Sequence, residues 1–311
     1  MIATHSDPLS RNLELPPATE RVSADLASGS LNTSRDNPET ESSNGAALRW
    51  LPAGASSHQA RRTHPANRAK MVDDMADPIR LLSALEIAGM IDISAVRANS
   101  TDLDIIEMVE RARHHHCYLV TVLPCQTART KALIAGRTTP KLGGNVGFPS
   151  GGQTTSIKVK EARELVDMGV DEIDVVIDLG AHLSGRYEDV FRDMAAVVDA
   201  SEGKPVKVIL ECSYLTDDQI RVGCDLAIKA RAGFVKTGTG WEPTGTTLEN
   251  VALIKSHVGD AIQIKASGGI RGSETLLEMY RRGARRFGIS VAYAPKIIEA
   301  LGSSPQPIGF R

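Results

Sequence analysis

Eight short apolar segments, alternating with amphipathic windows, constrain the fold more than any other feature of the 311-residue sequence. They are GMIDISA (89–95), CYLVTVL (117–123), LGGNVGFP (142–149), DEIDVVIDL (171–179), VKVILEC (206–212), GFVKTG (233–238), IQIKASGG (262–269) and RRFGIS (285–290). Short apolar strands that alternate with helices pair in parallel and are buried on both faces. Eight such units within about 230 residues predict an α/β fold of the (β/α)8 TIM-barrel type rather than an open sheet.

The windows between these segments have the periodicity of surface helices. Residues 154–169 place five apolar side chains on one stripe and leave Lys158 largely outside it; the five are Ile157, Val159, Ala162, Leu165 and Val166. TLENVALIKSHVG and SETLLEMYRRGA carry Thr or Ser near the start and Gly near the stop, as capped helices do. These windows therefore supply the outer helices of the predicted barrel.

The first 71 residues differ in composition from the rest of the chain. They contain one aromatic residue, Trp50, and one isoleucine, Ile2, among many Ser, Asn, Pro, Thr and Arg residues. Such a segment cannot bury enough apolar surface to offset its ordering entropy. We predict a largely disordered extension at 1–71 and a barrel domain at 72–311. A transit peptide is the alternative, and four acidic residues disfavour it; they are Asp7, Glu14, Glu20 and Asp25.

Bulk composition limits the partners and the compartment. The net charge is −2, which gives no electrostatic reason to expect nucleic acid or an anionic membrane as a partner. No apolar run approaches the roughly 20 residues of a spanning helix. The four cysteines show no CxxC spacing, so we expect a reduced, cytoplasmic protein. We also expect a homo-oligomer.

Two lysines interrupt the sixth and seventh strands next to glycine-rich loops. Lys236 follows Gly233-Phe234-Val235, and Lys265 follows Ile262-Gln263-Ile264. Active sites of this fold lie at the C-terminal ends of the strands, where both lysines fall. Asp92, Asp174 and Glu211 also introduce charge into strands. Because inward charges are costly unless they are paired, we expect these groups to meet, either as a structural ion-pair network or as a catalytic site.

The chemistry of two neighbouring lysines favours a catalytic site. A lysine amine attacks a carbonyl only when it is neutral, and burial beside a second cation lowers its pKa. One lysine would then form a Schiff base, while the other keeps its charge and moves protons. Asp174 is placed to act as the acid and base of such a pathway.

These residues also carry a resemblance to a known family. DEIDVVIDLG, VKVILECSYL, GFVKTGTG, IKASGGIR and VGFPSGGQTTSIKVKEA resemble the deoxyribose-phosphate aldolases, which are class I aldolases with a (β/α)8 barrel, from about Met90 to Ile298. The resemblance implies that Lys236 forms the Schiff base, Lys265 is the second lysine, Asp174 relays protons and Asp92 supports the network. It also implies reversible cleavage of 2-deoxyribose 5-phosphate to acetaldehyde and glyceraldehyde 3-phosphate, without metal or organic cofactor.

The chain departs from the family pattern around the substrate. Gly238 replaces the usual serine of KTSTG, and Thr121 and Leu123 replace the cysteine and asparagine of a CVNP-type motif. Val291 replaces one serine of the phosphate-binding GxSS pattern. The groups that remain to bind phosphate are mostly backbone amides near helix starts; they belong to Gly240, Gly268, Gly269 and Ser290.

Several functions remain open at this point. The substrate is a phosphosugar or a related aldehyde or keto compound, and a lyase or thiolase-like enzyme of the same family on another substrate is one alternative. A phosphosugar isomerase, or a non-catalytic barrel with a partner-binding tail, are others. His114–Cys117 is interpreted as a polar helix end rather than a metal site, Cys212 as a buried filler, and the glycines around Phe148 as a loop over the barrel mouth.

Overall fold

A closed barrel of eight parallel strands forms the centre of the protein. The computed structural model describes residues 80–302 and 306–308, so the predicted extension at 1–71 lies outside the described residues. The barrel strands are β2 (Ile91–Ala95), β3 (Leu119–Val122), β4 (Lys141–Val146), β5 (Glu172–Val176), β6 (Val206–Ile209), β7 (Phe234–Lys236), β8 (Gln263–Ser267) and β9 (Arg286–Ser290). Each pairs in parallel with the next, and β9 closes on β2. The predicted TIM barrel is confirmed.

Helices follow the barrel strands and cover their outer faces. Their bounds are Ala84–Ala88, Asp102–His114, Thr127–Ile134, Thr155–Asp167, Leu179–Leu183, Tyr187–Ala200, Asp217–Lys229, Leu248–Val258, Ser273–Arg281 and Ala294–Leu301. Because these helices enclose the sheet, every residue of β3, β5 and β6 is buried. The strands therefore read as nearly continuous apolar runs, as expected of a parallel sheet covered on both sides.

The helix ends follow local sequence chemistry. The side chain of Thr247 accepts a hydrogen bond from the amide of Asn250, and Asn250 returns one to the amide of Thr247. Gly259 ends the same helix with a φ of 54°, a left-handed conformation that glycine adopts at little cost. Thr101 and Thr216 begin their helices with equivalent capping boxes. The predicted start and stop of the 247–259 window are confirmed.

The prediction for the stripe of helix Thr155–Asp167 is wrong in two places. Ile157 is 49% exposed, whereas Lys158 is fully buried. Lys158 Nζ lies 2.6 Å from Asp193 Oδ2 and donates to the carbonyl of Val176, so this cation is paired between two helices. A buried charge is tolerated when it is paired and hydrogen-bonded in this way.

Gly143 and Gly144 lie inside β4 and not in a loop, as the sequence had suggested. A Cβ at Gly143 would stand 2.8 Å from Leu119 Cδ2, and one at Gly144 would stand 3.0 Å from Leu165 Cδ1. These glycines therefore allow close packing on both faces of the strand. Phe148 follows β4 and lines the crevice that contains Lys236.

A small second sheet lies outside the barrel. The antiparallel strands β1 (Arg80–Leu82) and β10 (Gln306–Ile308) pair with Arg80 opposite Ile308. The sequence analysis did not predict this pairing, because strands of three residues carry little periodicity. Among the residues that the structure describes, no helix has the length and apolar character needed to cross a membrane.

Candidate active site

Lys236 and Lys265 lie side by side, as the sequence predicts. They end or interrupt β7 and β8, which pair with Lys236 directly opposite Lys265. Both side chains are buried, and both Nζ atoms reach the same carboxylate oxygen, Asp174 Oδ2, at 2.8 and 2.9 Å. Parallel register thus brings to one carboxylate two amines that are 29 residues apart in sequence, by the numbers of Lys236 and Lys265.

Asp92 completes the group that the sequence predicts at this end of the barrel. It is fully buried in β2, and its Oδ2 lies 2.6 Å from Lys265 Nζ. Burial alone would raise the pKa of Asp92, but Lys265, Lys207 and Arg286 outweigh that effect and lower it. Burial likewise opposes ionisation of Asp174, and Lys207, Lys236 and Lys265 together hold its pKa well below the usual value. Both carboxylates are therefore ionised at neutral pH.

Three further charged residues join this cluster that the sequence analysis did not identify. Lys207 Nζ lies 2.8 Å from Asp174 Oδ1 and 2.7 Å from Glu172 Oε2. Arg286 donates to Asp92 Oδ1 at 2.9 Å and approaches Glu172 at 3.2 Å. Each of the three interrupts an apolar segment with a charge, as Lys236 does, and that signal could have found them.

The charges of the cluster balance only when one of its amines is neutral. Its cations are Lys207, Lys236, Lys265 and Arg286, and its carboxylates are Asp92, Asp174 and Glu172. Burial lowers the pKa of Lys207, but Asp174, Asp92 and Glu172 outweigh burial and raise it. Four cations facing three carboxylates in a buried site favour the loss of one proton.

Lys236 is the amine that gives up its proton most readily. Burial is the largest effect on its pKa, which falls from 10.5 to about 8 despite the nearby Asp174, and Lys265 lowers it further. At pH 7 about one Lys236 in ten is then neutral, against about one in 3,000 for an unperturbed lysine. Lys236 therefore has the reactivity that imine formation needs.

A carboxylate next to β7 explains the glycine at position 238. Glu211 follows β6 with a left-handed φ of 56°, and its Oε2 accepts from the amide of Thr239 at 3.0 Å. A Cβ at Gly238 would stand 2.6 Å from Glu211 Oε1. The glycine thus leaves space for the Glu211 carboxylate, whose pKa is raised mainly by burial.

The four residues predicted to bind phosphate line one large cavity beside the lysines. Gly240, Gly268, Gly269 and Ser290 border a space of about 880 Å³, a size typical of small-molecule sites. A Cβ at Gly240 would stand 3.4 Å from Gly268 Cα, so the loops after β7 and β8 approach closely. Val291 borders the same space. The sequence-predicted residues are thus in two adjoining places, the lysine crevice and this cavity.

Two guanidinium groups of the cavity escaped the sequence analysis. Arg97 lies 5.6 Å over the Trp241 ring and donates to the carbonyl of Gly240 at 2.8 Å. Arg271 lies 5.7 Å over the Tyr293 ring. Arg97 comes from a loop, where periodicity gives no signal. Stacking on aromatic rings fixes the planes of both guanidinium groups at the edge of the cavity.

The crevice and the cavity are continuous. Ser94, Val96, Thr239, Ser267 and Gly288 border both spaces. A ligand can therefore place one end at Lys236 and extend its other end toward the glycine loops. Within the described residues there is no group of three or more His, Cys, Asp or Glu side chains arranged to hold a metal ion, and the His114–Cys117 run lies at a helix end.

Known proteins resemble this chain over the barrel. The family model described as DeoC/LacD family aldolase matches residues 84–292. The deoxyribose-phosphate aldolase of Klebsiella pneumoniae is 42% identical over 221 residues, covering 70% of this chain and 89% of that protein. The deoxyribose-phosphate aldolase of Sinorhizobium medicae is 40% identical over 228 residues, covering 73% and 92%.

Solved structures show the same likeness. The aldolase QR15 superimposes with a TM-score of 0.65 at 36% identity, covering 69% of this chain and 95% of its own. The deoxyribose phosphate aldolase of Aeropyrum pernix, a tetramer, gives 0.66 at 28% identity, covering 71% and 93%. Fold and likeness together define a (β/α)8-barrel lyase of the aldolase class. More than half of the chain matches the family model, and the protein belongs to the DeoC/LacD family of aldolases.

Proposed function

We propose that this protein is a deoxyribose-phosphate aldolase that cleaves 2-deoxy-D-ribose 5-phosphate reversibly to acetaldehyde and glyceraldehyde 3-phosphate. The observation that carries the proposal is Lys236, a buried amine with a pKa of about 8 whose Nζ lies 2.8 Å from Asp174. Relatives named deoxyribose-phosphate aldolase, at about 40% identity, support the choice of substrate. The tetrameric structure of one relative supports a homo-oligomer, and the four free thiols agree with a cytoplasmic location.

Lys236 acts as the nucleophile of this reaction. The neutral amine attacks the aldehyde carbon of the open-chain sugar, and loss of water from the carbinolamine leaves an imine. The imine withdraws electrons from the bond between C2 and C3 of the sugar. Removal of the C3 hydroxyl proton then breaks that bond, releasing glyceraldehyde 3-phosphate and leaving a two-carbon enamine on Lys236.

Asp174 and Lys265 move the protons. Asp174 is ionised in the resting enzyme and contacts both amines, so it can accept a proton as the carbinolamine forms and collapses. Conversion of Lys236 to a neutral imine removes one cation from beside Asp174, which raises the pKa of this carboxyl toward a useful value. Lys265 and Asp92 hold the carboxylate in place at 2.9 and 2.6 Å contacts.

The large cavity holds the phosphate. Backbone amides of Gly240, Gly268 and Gly269 and the hydroxyl of Ser290 surround the dianion, in the place where this fold commonly binds phosphate. Arg97 and Arg271 add positive charge at the edge of the cavity. These two guanidinium groups offset the hydroxyl that Val291 lacks.

The reactivity of Lys236 should rise with pH and level off near pH 8. Below this pH the amine is mostly protonated, so the rate of imine formation increases about tenfold per pH unit, and above it the neutral amine predominates. The measurement is the rate of cyanoborohydride trapping with acetaldehyde between pH 6 and 9.5, since acetaldehyde has no titrating group in this range.

Lys265→Met provides the matched variant for this profile. Loss of the Lys265 charge removes an effect that lowers the pKa of Lys236, so the rising limb should move to higher pH. A native limb near pH 10.5, the value of an ordinary lysine, would contradict the proposed nucleophile.

The substrate is tested by comparing phosphorylated and unphosphorylated sugars. We expect the native enzyme to cleave 2-deoxyribose 5-phosphate with a higher kcat/KM than 2-deoxyribose. Val291→Ser should lower KM for the phosphate ester by about tenfold, because it adds a hydrogen bond to a charged group. The kinetics of 2-deoxyribose should barely change. If 2-deoxyribose is already the better substrate, the enzyme acts on a different sugar or keto compound.

A further inference from the structure

Asn145 presents an unused hydrogen-bond acceptor to the crevice that contains Lys236. This β4 residue is only 1% exposed, and its Nδ2 donates to the carbonyl of Val122 at 2.7 Å and to Thr121 Oγ1 at 2.9 Å. A backbone carbonyl only accepts, so the contact with Val122 determines which amide atom is nitrogen. Among the described residues none donates to Asn145 Oδ1, although the residue lines the crevice.

The position of Asn145 around the barrel indicates which part of a substrate it meets. The strand order places β3 and β4 across the barrel from β7 and β8. The proposed phosphate site lies in the loops after β7, β8 and β9. Asn145 and Thr121 therefore face the end of the substrate that is farthest from the phosphate, which is the two-carbon donor attached to Lys236.

A purely apolar donor leaves this acceptor without a partner. A buried polar atom that loses water costs free energy unless another donor replaces it. The crevice around Asn145 has a volume of about 20 Å³, room for one water-sized group. A hydroxyl on the donor carbon next to the imine would fill that space and donate to Oδ1.

We propose that Asn145 is a specificity-determining residue that accepts a hydrogen bond from a hydroxyl on the α-carbon of the donor aldehyde. Thr121 holds its amide in place, and the enzyme therefore uses glycolaldehyde as a donor in addition to acetaldehyde. The inference rests on the proposed imine chemistry of Lys236.

The reaction with this donor is an ordinary aldol addition. Lys236 condenses with glycolaldehyde and releases water, and the α-carbon loses a proton to give the enamine. That carbon then bonds to the carbonyl carbon of glyceraldehyde 3-phosphate, whose oxygen gains a proton. Water hydrolyses the imine and releases a pentose 5-phosphate, so neither oxidant nor reductant is needed.

Deuterium exchange at the donor α-carbon tests the proposal without any acceptor. The native enzyme in D2O should exchange the α-protons of both acetaldehyde and glycolaldehyde, with Lys236→Ala protein giving the background. Asn145→Val should lower the ratio of the glycolaldehyde rate to the acetaldehyde rate by about tenfold, the effect of one lost hydrogen bond. Thr121→Val should lower the same ratio less, by about threefold, because the amide keeps its bond to Val122.

The ratio separates recognition from structural support. If Asn145 only ties β3 to β4, Asn145→Val slows both donors equally and leaves the ratio unchanged, which overturns the proposal. Exchange of acetaldehyde but not of glycolaldehyde by the native enzyme also overturns it, while leaving the aldolase function standing. Failure of borohydride to trap either donor on Lys236 would instead contradict the imine chemistry, and the donor site with it.

Discussion

Lys236→Ala is expected to abolish borohydride trapping and to lower turnover by on the order of 10⁴-fold or more, as removal of a covalent nucleophile does. The melting temperature should change little. Without this amine the cluster retains three cations, Lys207, Lys265 and Arg286, against three carboxylates, so its buried charges still balance. The measurements are cleavage of 2-deoxyribose 5-phosphate, the mass of the trapped protein and thermal unfolding.

Lys236→Arg is the matched variant for this experiment. A guanidinium remains protonated and cannot form an imine, so this variant should be as inactive as the alanine variant although it keeps a positive charge. Peptide mapping of the trapped native enzyme should find the adduct on Lys236. An adduct on Lys265 would reverse the roles of the two lysines.

Asp174→Asn is expected to lower turnover by on the order of 10²–10⁴-fold, because an amide cannot exchange a proton. The pH limb of imine trapping should move to lower pH in this variant, since the carboxylate raises the pKa of Lys236. The same change leaves three buried amines without their common partner, so the melting temperature should also fall. Trapping, turnover and unfolding measured on one preparation therefore separate proton transfer from charge balance.

Asp178→Asn is the control for this prediction. Asp178 Oδ1 accepts from the amide of Ala181 and caps helix Leu179–Leu183, and asparagine caps a helix equally well. Turnover should stay near the native value. Near-normal turnover in Asp174→Asn, with a loss in Asp178→Asn, would transfer the acid and base role to Asp178.

Local pattern was enough to predict the strands and the meeting of the two lysines. All eight apolar segments contain a barrel strand, because parallel strands covered on both faces need continuous apolar runs. Since consecutive strands of a barrel are neighbours, Lys236 and Lys265 could be placed together without coordinates. The same reasoning placed Asp92 and Asp174 in the barrel.

The polar side chains that complete the site were harder to predict. Lys207 and Arg286 lie in strands whose apolar neighbours drew attention away from them, and Lys158 was assigned to the outside of a helix. Each of these cations is buried because a carboxylate from another element pairs with it. Helical or strand period alone does not reveal such a partner.

The sequence by itself therefore determined the barrel, the order of its strands and the pair of lysines, because these depend on local periodicity and on neighbouring strands. The tertiary structure alone decided which lysine loses its proton, where the carboxylate of Glu211 fits beside Gly238, and that Asn145 faces the donor side of the crevice. Those outcomes depend on burial and on distances between residues far apart in the chain, which set desolvation and charge interactions.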